Sequence, residues 1–79
     1  MEDRLFGRVK EVYIPEDSYI DNYKIGFKVQ VENQIFTIEE TQTLENAKIY
    51  KDDFVFLNKI IIDNKEYYNI EPIGEDNYE

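Results

Sequence analysis

Apolar residues recur at every second position in several stretches of this chain, which is the spacing of β-strands with one buried face. The clearest stretch covers residues 23–31, where apolar residues alternate with others from end to end. Residues 5–14 form an earlier stretch whose alternation changes phase near Lys10 and Glu11. A β-bulge there would keep both halves of the strand facing one core, so the pattern predicts a bulged first strand.

A third strand follows the second closely enough to form a β-hairpin. Asn33 and Gln34 are suited to a two-residue turn, and such a turn also fixes the register of the strands that it joins. Apolar residues then lie opposite apolar residues, and a lysine lies opposite an acid. The predicted pairs are Val31 with Phe36, Val29 with Ile38, and Lys28 with Glu39.

Residues 39–51 lose the alternation and contain several good helix formers. Either Thr41 or Thr43 is available as an N-cap, because a threonine hydroxyl accepts a hydrogen bond from the first turn of a helix. The segment therefore predicts one short helix between the third and fourth strands.

Two further strands are predicted at residues 54–62 and 66–73, because both runs are rich in β-branched and aromatic residues. Their buried face is ambiguous, since the three isoleucines at 60–62 show no alternation. In the preferred register Tyr67 points outward. The side chains that point inward in this register are Phe54, Phe56, Ile60, Ile62, Tyr68 and Ile70.

The same region contains the elements of an apolar surface. If one strand face is exposed, Ile61 together with Val55 or Leu57 would form an apolar patch. A patch of this kind favours a homodimer. Burial of the strand on both faces is the alternative explanation for its continuous apolar character.

The order of strand, strand, strand, short helix, strand, strand predicts an all-β fold. Five short strands leave fewer exposed edges when they close on themselves, so we expect a small closed or partly open barrel of the OB-fold type. An SH3-like barrel, which has its short 3₁₀ turn later in the chain, is the alternative. At 79 residues the whole chain, 1–79, is expected to form one domain. Residues 74–79 are expected to be a frayed acidic tail.

The chain is acidic, with a formal net charge of −9. The charge is uneven, because residues 32–79 contain twelve acids and only four bases. There is no cysteine to form the disulfides of a small secreted domain, and no apolar run has the length of a membrane span. We therefore expect a cytoplasmic protein that does not contact membranes.

The composition removes most catalytic chemistry. Without histidine or cysteine, the commonest general base, zinc ligands and thiol nucleophile are all missing. Ser18 is the only serine, and the three glycines are scattered rather than gathered in a phosphate-binding loop. We expect no catalytic residues, no metal site and no cofactor, and hence a protein that is not an enzyme.

An acidic surface in the second half is the first candidate for function. Its carboxylates would attract a basic protein, and exposed tyrosines are suited to anchor one, because their rings are amphipathic. A non-enzymatic module that binds a basic protein partner is therefore the leading hypothesis. The candidate partner-binding residues are Tyr50, Asp52, Asp53, Tyr67 and Glu71.

A strip of basic residues on the first two strands supports an alternative function. Positive charges on one face of a sheet, together with an exposed aromatic ring, are typical of proteins that bind single-stranded nucleic acid. The net negative charge opposes this function, because it repels phosphate at long range. The candidate nucleic-acid-binding residues are Phe6, Arg8, Lys10, Lys24 and Lys28.

Overall fold

The computed structural model describes residues 4–73, so the predicted tail at 74–79 lies outside the described residues. Five antiparallel strands form one sheet, which confirms the all-β prediction. A single 3₁₀ turn, Asn46–Lys48, lies between the third and fourth strands. The strands are β1 (Arg4–Tyr13), β2 (Lys24–Val31), β3 (Gln34–Thr41), β4 (Phe54–Ile62) and β5 (Lys65–Pro72).

The strand order in the sheet is β3-β2-β1-β4-β5. Since β4 returns by a long connection to pair with β1, strands β1 to β4 have Greek-key topology. The sheet curls until its edge strands β3 and β5 meet, where the rings of Phe36 and Tyr68 lie 5.1 Å apart. The Ile70 N–H donates a 3.1 Å hydrogen bond to the Glu40 carboxylate across the same seam. Because β3 and β5 are not paired in the sheet, it is not closed.

The predicted bulge in β1 is confirmed. The register between β1 and β2 shifts between Val9 and Glu11, so Lys10 is the extra residue. The shift leaves Val9 opposite Val29 and then Val12 opposite Phe27. Both halves of β1 therefore face the same core, as the change of phase requires.

The core lies on the inner face of the curled sheet. Val9, Phe27, Val29, Val55 and Leu57 are fully buried there, and they come from the three central strands. Ile49, from the loop after the 3₁₀ turn, is also buried with them. The remaining buried apolar residues are Ile25, Ile38 and Ile70.

The predicted inner face of β4 is wrong. Val55 and Leu57 are buried, so the predicted apolar patch that combined either of them with Ile61 does not form. Pairing with β1 sets this register, because Val55 lies opposite the buried Gly7, and Leu57 lies opposite Leu5, which packs against the core. The predicted inward side chains that lie on the outer face instead are Phe54, Phe56, Ile60 and Ile62.

The predictions for β5 agree better with the structure. Tyr68 and Ile70 lie on the inner face, since Leu57 is paired with Ile70 and Lys59 with Tyr68. Tyr67 points outward and is half exposed, as predicted.

The predicted β2–β3 turn is one residue too late, so the predicted cross-strand register is displaced by two residues. The turn residues are Glu32 and Asn33, and Glu32 adopts a left-handed backbone with φ of 56°. A shift by two residues keeps every side chain on its predicted face, because side chains alternate with period two. The cross-strand pairs nevertheless change. Val31 lies opposite Gln34, Val29 opposite Phe36, Phe27 opposite Ile38, and Lys28 opposite Thr37 rather than Glu39.

The predicted short helix is reduced to the 3₁₀ turn. The Thr43 hydroxyl accepts the Asn46 N–H at 3.0 Å, and the Asn46 side-chain oxygen accepts the Thr43 N–H at 2.7 Å. The amide of Asn46 also donates to Glu40 and to the Thr41 carbonyl, so this buried polar side chain is fully bonded. These bonds hold a single turn in place of a longer helix. Across residues 4–73, no helix has the length and apolarity of a membrane span.

Candidate functional site

Three phenylalanines form a cluster on the outer face of β1 and β4, which we call the phenyl cluster (Phe6, Phe54 and Phe56). Phe6 lies opposite Phe56 in the sheet. Its ring stacks on Phe54 with centroids 5.4 Å apart and planes 9° apart, and it meets Phe56 edge to face at 5.8 Å. Phe6 and Phe54 remain 54% and 51% exposed. The cluster is therefore a pre-formed aromatic surface that solvent reaches.

Two arginines of β1 lie over the rings of this cluster. The Arg4 guanidinium is 4.5 Å from the Phe56 centroid, and that of Arg8 is 5.5 Å from the Phe54 centroid. Each arginine also has an acidic partner. Arg4 contacts Glu71 at 3.2 Å, and Arg8 contacts Asp52 at 3.7 Å. The phenyl cluster thus has a polar rim made of two ion pairs, each of which has no net charge.

The apolar surface continues along the outer face of β4. Ile60 and Ile62 lie on the same face as Phe54 and Phe56, and they are 38% and 54% exposed. Tyr67 lies opposite Ile60 on β5 and extends the surface sideways. We call these two isoleucines and Tyr67, together with the phenyl cluster, the outer apolar face. An exposed apolar surface of this extent commonly marks an interaction site.

A cleft of about 960 Å³ opens beside the phenyl cluster. Phe6 and Phe54 contribute rings to its lining. The charged side chains of the lining are three acids, Glu45, Asp53 and Glu71, and one base, Lys48. The cleft therefore combines aromatic surface with an excess of negative charge.

The predicted partner-binding residues gather around this surface. Asp52 and Glu71 are the acidic partners in the two arginine ion pairs of the rim. Asp53 and Glu71 line the cleft. Tyr67 belongs to the outer apolar face. Tyr50 is exposed, and its backbone N–H donates to the Asp53 carboxylate at 2.9 Å.

The predicted basic strip is divided by the structure. Phe6 and Arg8 belong to the phenyl cluster and its rim, whereas Lys24 and Lys28 lie on the outer face of β2. Lys10 is the extra residue of the bulge. The two predicted sets of residues thus meet at the phenyl cluster, because Arg8 of one set contacts Asp52 of the other.

The outer face of β2 and β3 is engaged in contacts of its own. Lys24 contacts Asp17 at 2.7 Å; this hydrogen bond lowers the pKa of Asp17 and raises the pKa of Lys24. The Tyr13 hydroxyl donates to Glu39, and Lys28 lies 5.8 Å from the centroid of the Tyr13 ring. Burial, followed by the hydrogen bond to Glu39, raises the pKa of Tyr13 to about 12.

Several residues of the site were missed or misplaced by sequence reasoning. Phe54 and Phe56 were assigned to the core, and Arg4 and Asn58 were not singled out. The sequence does contain a signal for the two phenylalanines. Their strand is apolar on both faces, and if only one face packs on a core, the apolar residues of the second face stay exposed. The contacts of Arg4 with Asn58 and Glu71 join residues that are far apart in the chain.

Comparison with protein-family models, curated proteins and solved structures gives no match to this chain. Among residues 4–73, no three acidic side chains converge closely enough to hold a metal ion. Function is therefore inferred from the surface chemistry of the chain itself.

Proposed function

We propose that this chain is a non-enzymatic protein-interaction module that binds a basic protein partner through its outer apolar face. The observation that carries the proposal is the exposure of Phe6, Phe54, Ile60, Ile62 and Tyr67 on one side of the sheet. Interfaces typically combine an aromatic and aliphatic centre with a polar rim, and the ion pairs of Arg4 and Arg8 supply such a rim here.

Charge supports a basic partner. Residues 4–73 contain thirteen acids and nine bases, and the whole chain has a net charge of −9. In the cleft beside the phenyl cluster, three acids face a single lysine. Electrostatic complementarity of this kind accelerates encounter with a positively charged partner and disfavours acidic ones.

We also propose that the curled sheet is a partly open barrel of the OB-fold type. The strand order, with β1 between β2 and β4, and the near contact of β3 with β5 support this assignment. The position of the 3₁₀ turn between β3 and β4 favours it over an SH3-like barrel. The outer surface of such a fold is a common ligand face.

Selection of short random peptides on the immobilised protein tests the proposal. The test variant is Phe54→Lys with Ile60→Lys, which removes the centre of the outer apolar face. The control is Ile20→Lys with Leu44→Lys, because both side chains are 86% exposed and lie in loops outside this face. Each double variant removes two exposed apolar side chains and adds the same charge.

We expect the wild type and the control to enrich the same family of basic peptides, and the test variant to lose them. Circular dichroism of each variant checks that the sheet is intact, and Ile62→Lys serves as the test variant if the double substitution unfolds. Equal recovery on all proteins, or enrichment of acidic peptides, would contradict the proposal.

Single-stranded nucleic acid is the second candidate ligand, favoured by the half-exposed ring of Phe6 between Arg4 and Arg8. Fluorescence anisotropy of labelled oligonucleotides at two salt concentrations tests it. Binding to single-stranded DNA would weaken with a log-log slope of about −0.7 per neutralised phosphate. Charge reversal by Lys24→Glu with Lys28→Glu, on the adjacent outer face of β2, should weaken this binding and leave peptide binding intact.

A second copy of the chain is a further occupant to be distinguished. Light scattering over a range of protein concentrations measures whether the wild type forms a homodimer. A dimer that disappears in the Phe54→Lys, Ile60→Lys variant would mean that the outer apolar face binds another copy, and it would overturn the basic partner as its occupant.

A further inference from the structure

We infer that the cleft beside the phenyl cluster binds the side chain of an arginine supplied by the protein partner. The inference deepens the proposed function and depends on it for the identity of the partner. It assigns the cleft a specific ligand chemistry, a guanidinium held between aromatic surface and carboxylates.

The rings of the phenyl cluster are suited to bind a cation. Within this chain, the guanidinium groups of Arg4 and Arg8 already lie over Phe56 and Phe54. The electron-rich faces of such rings attract cations, and arginine is found over aromatic rings more often than lysine. Phe6 and Phe54 line the cleft and are half exposed, so aromatic surface remains for an incoming guanidinium.

Carboxylate oxygens in the lining of the cleft are available to accept hydrogen bonds. Asp53 uses Oδ2 to accept the Tyr50 N–H, and Glu71 uses Oε1 to accept Arg4 and Asn58. Their other oxygens have no hydrogen-bond donor among residues 4–73. Glu45 adds a third carboxylate to the lining. A cation that enters the cleft therefore meets several oxygen acceptors.

The combination of rings and separate acceptors in the cleft favours arginine over lysine. A guanidinium is planar and presents five N–H donors in a fixed fork, so it can stack on a ring while it donates to several acceptors. A lysine ammonium is a compact, strongly hydrated charge that gains less from a flat ring. Asn69 also lines the cleft, and its amide oxygen adds an acceptor for an extended donor set.

Titration of the ¹⁵N-labelled protein with N-acetyl-argininamide tests the inference without a peptide. We expect saturable chemical-shift changes at residues 53–55 and 69–71, which border the cleft. N-acetyl-lysinamide should bind roughly fivefold more weakly, and neutral N-acetyl-glutaminamide should cause no saturable change. Equal shifts with all three compounds, or shifts centred elsewhere on the protein, would overturn the inference.

Charge-removing variants locate the site. Asp53→Asn with Glu45→Gln removes two cleft carboxylates, and the asparagine retains an oxygen that can accept the Tyr50 N–H. The matched control is Glu16→Gln with Asp21→Asn, which removes the same charge in the β1–β2 loop. We expect the cleft variant to bind N-acetyl-argininamide roughly tenfold more weakly and the control to bind like the wild type. Equal weakening in both variants would overturn the inference.

The two proposals fail in different ways. Binding of N-acetyl-argininamide in the cleft without selection of any peptide would retain the arginine site and reject the protein partner. Peptides that bind the outer apolar face, and that bind equally well after arginine is replaced by lysine, would retain the partner and reject the arginine site.

Discussion

The outer surface of the sheet differs sharply between its two sides. On β2 and β3 it is mostly polar, and its charged groups Lys24 and Glu39 contact Asp17 and Tyr13. On β4 it is mostly apolar, with half-exposed rings and isoleucines. Both sides cover the same core, so the need for a core does not explain the apolar residues on the outside of β4. They are available for a partner, whereas the side chains of β2 are already engaged within the chain.

The largest expected difference in stability is between alanine variants of two phenylalanines, one on each face of the sheet. Phe27→Ala removes a fully buried ring from the inner face of β2 and should lower the free energy of unfolding by about 3–5 kcal/mol. Phe54→Ala removes a half-exposed ring from the outer face of β4 and should cost about 1 kcal/mol, mostly its stacking on Phe6. Denaturant unfolding measures both. Similar losses for the two variants would mean that the outer apolar face is part of the stabilising core.

A smaller effect is expected at Gly7, on the strand that joins the two sides. A Cβ at this position would lie 2.7 Å from a methyl group of Val29 and 2.8 Å from the Gln30 carbonyl oxygen. Because the carbonyl is backbone, Gly7→Ala should push β2 away from β1 and cost about 1–3 kcal/mol. Denaturant unfolding again measures the change, with Gly26→Ala as the control.

The control is informative because the three atoms nearest to a Cβ at Gly26 would all belong to the ring of Tyr13, which is a side chain rather than backbone and can shift to make room. Gly26→Ala should therefore cost less than Gly7→Ala. If Gly26→Ala instead cost more stability than Gly7→Ala, the Tyr13 ring would be held on β2 more rigidly than β1 and β2 are held together.

The smallest effect is confined to alkaline solution and to the polar side of the sheet. The pKa of Tyr13 is raised from 10.0 to about 12, so the folded state holds the phenol proton more tightly than the unfolded state does. The resulting stabilisation is fully present below pH 10.0 and is lost as the pH rises toward about 12.

Denaturant unfolding of the wild type and of Tyr13→Phe across this pH range tests the assignment, with Tyr19→Phe as an exposed control. Tyr13→Phe should lose less stability than the wild type as the pH rises, whereas Tyr19→Phe should behave like the wild type. Identical profiles for all three proteins would show that the Tyr13 proton is not coupled to folding.

Much of the fold could be predicted from the sequence because β-strands with one buried face alternate. The bulge at Lys10 and the inner face of β2 follow from that pattern alone. The β4 register could not be predicted, because residues 54–62 have apolar side chains on both faces and only pairing with β1 decides between them. The helix was overestimated because composition does not reveal that Thr43 and Asn46 bond to each other.

The candidate site was predicted only in pieces. Asp52, Glu71 and Arg8 were singled out as charged surface residues, but as members of two separate surfaces. Their convergence depends on β1 lying between β2 and β4, a long-range pairing that brings Arg8 opposite Phe54. Local patterns contain no information about such a pairing, so the sequence does not indicate that the two sets form one site.

The seam between β3 and β5 has a consequence for how the protein opens. The described hydrogen bond between these strands joins the Ile70 N–H to the side chain of Glu40, and the rings of Phe36 and Tyr68 pack beside it. Opening at this point breaks no ladder of backbone hydrogen bonds between strands. The two edge strands are therefore able to separate in a local fluctuation that costs less free energy than global unfolding. We therefore expect this seam to open locally before the rest of the sheet does, with the hydrogen bond from the Ile70 N–H to Glu40 as a contact that opposes opening.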